Sequence, residues 1–230
     1  MKIDKAILSI YRIISNNEKQ AVFLQLDFGF FYSFDRGEII MKKIVKITVS
    51  FFIVLLLTSC GEGIKDPLNW ELTNFSAKTE EGKDINLADL KGKVWVADFI
   101  FTNCATVCPP MTANMTKLQG MLKEQELDVE IVSFSVDPTV DTPEKLKEYV
   151  LKFNGDLSNW HLLTGYSQEF IEKYALKNFK TIVKKPDTDN QVIHGTSFFL
   201  IDKDGNVVKN YDGITVPYDE IVKDIKVISN

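Results

Sequence analysis

Cysteine and histidine are scarce in this 230-residue chain, with three and two copies. So few thiols exclude a small disulfide-stapled scaffold. Arginine is absent after residue 60, and over 61–230 19 lysines face 27 acidic residues, a net charge of −8. With −5 for the entire chain, that balance argues against a nucleic-acid partner. There is no internal repeat and no low-complexity tract. What remains is ordinary, 45% hydrophobic and 26% charged, as expected of one globular domain or at most two.

One apolar run stands apart. Residues 41–60 read "MKKIVKITVSFFIVLLLTSC". Lys42, Lys43 and Lys46 form a basic start, and Ile47–Leu57 is free of charge but short of the ~20 residues a membrane span needs. Leu57-Thr58-Ser59-Cys60 resembles the cleavage box of a bacterial lipoprotein, in which the cysteine is lipidated and opens the mature chain. The reading is therefore a signal over 41–60 with Cys60 as the lipidation site, an uncleaved anchor being the alternative. It places the rest of the chain on the extracytoplasmic face of the cell membrane. Residues 1–40 are expected to be a disordered upstream leader, with Met41 as the initiator. Arg36-Gly37-Glu38 can be encoded by a purine-rich ribosome-binding sequence at a suitable distance. Residues 61–66 read as a linker and 67–230 as the domain.

Inside the domain, "VWVADFIF" (94–101) reads as a strand buried on both faces. A helix from Met111 to about Gln125 follows, with Met111, Met115, Leu118 and Leu122 as its core face. Then come a strand over 130–136 and a helix capped by Asp141 and Thr142, carrying Leu146, Tyr149, Val150 and Phe153. A strand over 160–163, a helix capped by Ser167 and a short strand over 181–183 follow. Ser197–Ile201 and Val207–Tyr211 flank a turn cluster and read as a hairpin. Tyr218–Ile228 reads as the last helix. Residues 70–92 read as an accessory N-terminal hairpin with a helical turn. Repeated βα units followed by a hairpin predict an α/β fold, a mixed central sheet flanked by helices.

The stretch "FTNCATVCPP" (101–110) holds Cys104 and Cys108. Pro109 disfavours helix at Cys108, so both cysteines are expected in the strand-to-helix loop, near the positive end of the next helix. That setting favours thiolate, which is both nucleophile and metal ligand. A plain structural disulfide would close a tiny loop and stabilise little. A thiol–disulfide exchanger and a metal site remain. A metal site needs a further ligand, and the two histidines differ. His161 sits in a short strand and reads as an ordinary, partly buried residue. His194, in "VIHGTSFFLI", leads into the hairpin strand. If that strand neighbours the one before Cys104, the imidazole faces the thiols. Two thiolates and an imidazole suit one copper ion, Cu(I) or, with a harder fourth ligand, Cu(II). Zinc is the rival, although structural zinc wants four protein ligands. Asp137, in "SVDP", is either a turn residue or a contact to the site or to a partner.

"FTNCATVCPPMT", "SVDPTVDTPEKLKEY" and "VIHGTSFFLID" closely resemble the Sco/SenC family, and the likeness spans 65–228. The resemblance implies a thioredoxin-like fold and membrane tethering. It implies a role in assembling the dinuclear copper centre of cytochrome c oxidase subunit II, the expected partner. It makes Cys104, Cys108 and His194 the copper ligands. It also implies that the cysteines can pair as a disulfide, with a thiol reductant protein as a further partner, and that Lys184–Val192 is an insertion before the histidine. Residues 194–197 hold no proline where redox-active thioredoxins place a cis-proline. That departure favours metal handling over general disulfide exchange, with reductase work on the oxidase's copper-site cysteines as the alternative.

Overall fold

The computed structural model describes residues 63–229. The expectations for residues 1–40, for the signal over 41–60 with Cys60, and for the first linker residues lie outside the described residues. In chain order the elements are β1 (Trp70–Glu71), β2 (Ser76–Lys78), β3 (Asp84–Asn86), a 3₁₀ turn (Leu87–Leu90), β4 (Val94–Ile100) and α1 (Cys108–Glu124). Next are β5 (Val129–Ser135), α2 (Pro143–Leu151), β6 (Trp160–Leu163), α3 (Gln168–Phe179), β7 (Val183–Lys184) and β8 (Ile193–His194). The chain closes with β9 (Ser197–Ile201), β10 (Asn206–Asp212) and α4 (Tyr218–Ser229).

The main sheet runs β1-β10-β9-β4-β5-β6. β4, β5 and β6 are parallel, joined through α1 and α2, while β9 lies antiparallel to β4 on its other side. This is the predicted α/β fold with a mixed sheet. Every residue of β4 is buried, as its uninterrupted apolar sequence required. Beneath the sheet Phe99, Phe179 and Phe199 meet edge to face at 4.9–6.1 Å between ring centres. Edge-to-face contact sets the positive rim of one ring against the negative face of the next.

Several boundaries differ from the sequence reading. The β2–β3 hairpin and the 3₁₀ turn are accessory as expected, but Trp70–Glu71 joins the main sheet as its edge strand beside β10. Two residues carry too little pattern to announce a strand. Phe153 lies past the end of α2 yet still packs on the core. The short strand expected over 181–183 is Val183–Lys184, and its partner is Ile193–His194.

Candidate metal centre

β4 delivers the chain to the cysteine loop. Cys104 lies in that loop, but Cys108 is the first residue of α1, a correction to the loop position expected from Pro109. The reason is local. Pro109 and Pro110 lack N–H groups at positions where a helix has no internal use for them, so they fit the first turn. The bond from the Met111 N–H to the Val107 carbonyl at 3.1 Å closes that turn and outweighs the pre-proline bias. The orphan N–H of Cys108 then points at Cys104 Sγ, 3.3 Å away.

The loop is braced from below by Asp141. Thr102 donates to Asp141 Oδ1 through its N–H (3.1 Å) and its hydroxyl (2.6 Å), and Ser135 Oγ–H donates to Oδ2. This corrects the reading of Asp141 as a helix cap; Thr142 alone caps α2 through the Lys145 N–H. The sequence signal for a brace was absent because it joins residues 39 positions apart.

His194 arrives from the other side. β9 pairs with β4, as anticipated, and β8 just before it holds the ring in place. His194 is thus a strand residue rather than a loop residue. Its Nδ1 lies 2.9 Å from the Gly195 carbonyl oxygen, which can only accept, so Nδ1 carries the proton. The lone pair of Nε2 is left facing Cys108 Sγ at 3.2 Å. The Phe101 ring stands edge-on against the imidazole at 5.7 Å. Gly195 gives the chain its close approach here, since a Cβ at that position would lie 2.1 Å from Thr181 Oγ1 and force that side chain to shift.

The two sulfurs are not equivalent. Hydrogen bonding from the Cys108 thiol, with further help from the Cys108 N–H, pulls the Cys104 thiol well below its ordinary range despite burial. Donation to that neighbour, together with burial, pushes the Cys108 thiol up. Both cysteines are free. The two Sγ atoms and a ring nitrogen of His194 all lie within 4.8 Å of one another. One ion can bridge such a span at metal–sulfur distances of ~2.3 Å. Two soft sulfurs and an imidazole fit a copper ion.

The SCO1/SenC family model matches residues 68–230. The chain belongs to the SCO1/SenC family. Among solved structures, a SCO1/SenC family lipoprotein from Bacillus anthracis is 57% identical, with a TM-score of 0.71 over 73% of this chain and all of that one. BsSco is 53% identical, with a TM-score of 0.69 over 74% and 99% of the two chains. It is described as a member of the Sco family of cytochrome c oxidase assembly proteins with a disulfide switch. Arabidopsis thaliana ScoI, solved with copper bound, is 28% identical, with a TM-score of 0.57 over 67% and 97%.

In this Sco/SenC chain neither His161 nor Asp137 is part of the Cys104–Cys108–His194 group, and the predicted core face of α1 is where it was expected. Met111 and Met115 are fully buried core residues of α1. His161 sits 3.2 Å from Glu130 at the opposite end of β5 from the cysteines. Asp137 has a turn role, its carbonyl accepting from Val140 and Asp141. Its buried carboxylate also pairs with Lys185 Nζ at 2.6 Å. Nothing in the sequence pattern marked Lys185 as that partner. Among the described residues no helix is long and apolar enough to cross a membrane.

Proposed function

We propose that this protein is a membrane-tethered copper chaperone. Cys104, Cys108 and His194 bind one copper ion, which the protein delivers to the dinuclear copper centre of cytochrome c oxidase subunit II. The tether is a lipid on Cys60, left by cleavage of the signal over 41–60. The observation that carries the reading is the convergence of three soft or borderline donors within 4.8 Å. The copper-bound relative and the oxidase-assembly description of BsSco support it, and the lipoprotein relative supports the tether.

The chain's own groups fit a carrier. Cys104 is already biased to thiolate, and the Nδ1 bond of His194 to the Gly195 carbonyl leaves Nε2 aimed at the sulfurs. A soft ion can leave stepwise, one protein ligand being replaced by one acceptor ligand at a time. Oxidation of the pair to a disulfide by a two-electron oxidant removes two electrons and the one proton left on Cys108. It leaves no thiolate to hold metal, so a thiol reductant protein, itself oxidised to a disulfide, would restore the competent form.

The asymmetry of the thiols favours a second reading, a thiol–disulfide oxidoreductase that keeps the oxidase's copper-site cysteines reduced. Cys104 would attack and the fully buried Cys108 would resolve. His194 separates the two. Anaerobic copper binding to the reduced protein should show one equivalent, weakened ~10–100-fold or more by each of Cys104→Ala, Cys108→Ala and His194→Ala. Disulfide reductase turnover should survive His194→Ala. Unchanged copper affinity in His194→Ala would end the chaperone reading.

A further inference from the structure

The segment from Lys185 to Val192 separates the two strands of a very short ladder. β7 and β8 pair over only Val183↔His194 and Lys184↔Ile193. Two residue pairs are marginal on their own, so the place of His194 must be secured elsewhere. Side chains supply the ties. At the near end, Lys184 Nζ and the Lys185 N–H both reach the Glu172 carboxylate on α3, at 3.1 and 3.0 Å. Lys185 Nζ crosses to Asp137 Oδ1 at 2.6 Å and to Thr139 Oγ1 at 3.1 Å. At the far end, Gln191 Nε2 donates to the carbonyl of Asn103 at 3.1 Å, next to Cys104.

The Asp137 anchor continues to the cysteine loop. Its N–H donates to Ser135 Oγ, Ser135 donates to Asp141, and Asp141 holds Thr102. One hydrogen-bonded chain thus runs from the cysteine side of the site to the strap that carries the histidine. The Asp137 side chain is 1% exposed. An anion so removed from water needs a cation, which makes this pair costly to break from one side only.

We propose that Lys185 is a positioning residue for His194. Its ion pair with Asp137, assisted by Gln191 on Asn103, latches the 185–194 strap against the cysteine loop and thereby sets how long the imidazole stays on the bound ion. This inference rests on the copper-carrier reading and adds to it the element whose opening starts release. The partner needs only to compete for the His194 position, because Cys104 and Cys108 are carried by the loop after β4 and by the start of α1 rather than by the strap itself.

The test compares Lys185→Met, Lys185→Arg and Gln191→Ala with the native protein, each alone and combined with His194→Ala. The double change Lys185→Met with Asp137→Asn removes both charges and covers the case in which a lone buried carboxylate unfolds the protein. Two measurements are made. In the metal-free reduced protein, amide exchange over 186–194 should rise about tenfold in Lys185→Met and stay near native in Lys185→Arg. In the copper-loaded protein, Cu(I) transfer to a competing chelator should quicken about tenfold in Lys185→Met and less in Gln191→Ala. In a His194→Ala background the same changes should have no further effect. Native-like exchange and transfer in Lys185→Met and in the double change would overturn the latch, as would equal acceleration with and without His194. If His194→Ala alone leaves transfer unchanged, the carrier reading itself fails.

Discussion

Asp98 and Gly195 show how single positions next to the site carry strain. Asp98 is fully buried on β4, and among the described residues its Oδ2 meets no donor, while Oδ1 accepts from Ser133. Burial pushes its carboxyl up to about 6 from an ordinary 3.8, against the opposing pull of Ser133 and His194. Between about pH 4 and 6 the folded protein therefore keeps a proton that the unfolded chain has released. Stability falls as pH rises through that window. Asp98→Asn keeps an acceptor for Ser133 and removes the titration. Urea unfolding should find it roughly 2–3 kcal/mol more stable than native at pH 7.5, with the gap closing below pH 4. Gly195→Ala should cost ~1–3 kcal/mol by crowding Thr181, with part of the loss recovered in Gly195→Ala/Thr181→Ala.

Helix starts and strand pairs account for what could be read early. Thr142 and Ser167 each accept the N–H three residues on, from Lys145 and Phe170, as their type and position announced. Thr142→Ala and Ser167→Ala should each lower stability by ~1 kcal/mol, seen as a lower thermal midpoint with copper affinity unchanged. β4, β5, β6 and the β9–β10 hairpin were legible because their patterns persist over four to seven residues. β1, β7 and β8 are two residues each. They exist only because neighbouring chain is held beside them, so local pattern missed β1 and β8 and placed β7 only approximately, over 181–183. The start of α1 at Cys108 was misjudged for a related reason. The pre-proline rule weighs one residue, whereas the first turn is settled by the bond between Met111 and Val107.

At the level of the domain, folding, thiol state and metal are linked. A ligand that binds only the folded, reduced form stabilises it by mass action. Copper at ~100 times its dissociation constant should raise the stability of the reduced protein by ~2.7 kcal/mol and leave the disulfide form unmoved, as calorimetry of the two forms would show. The ligand types and the cysteine loop between strand and helix were written in the chain, since they depend on residue identity and on patterns a few residues long. The candidacy of His194 followed from its place before a predicted strand. Tertiary structure alone decided that the imidazole meets Cys108 at 3.2 Å, with Nε2 as the free nitrogen. It alone placed Asp141 under the cysteine loop and Lys185 on Asp137. Those contacts join residues 39 to 86 positions apart, and only the pairing of β9 with β4 and the packing of a buried carboxylate against its donors bring them together.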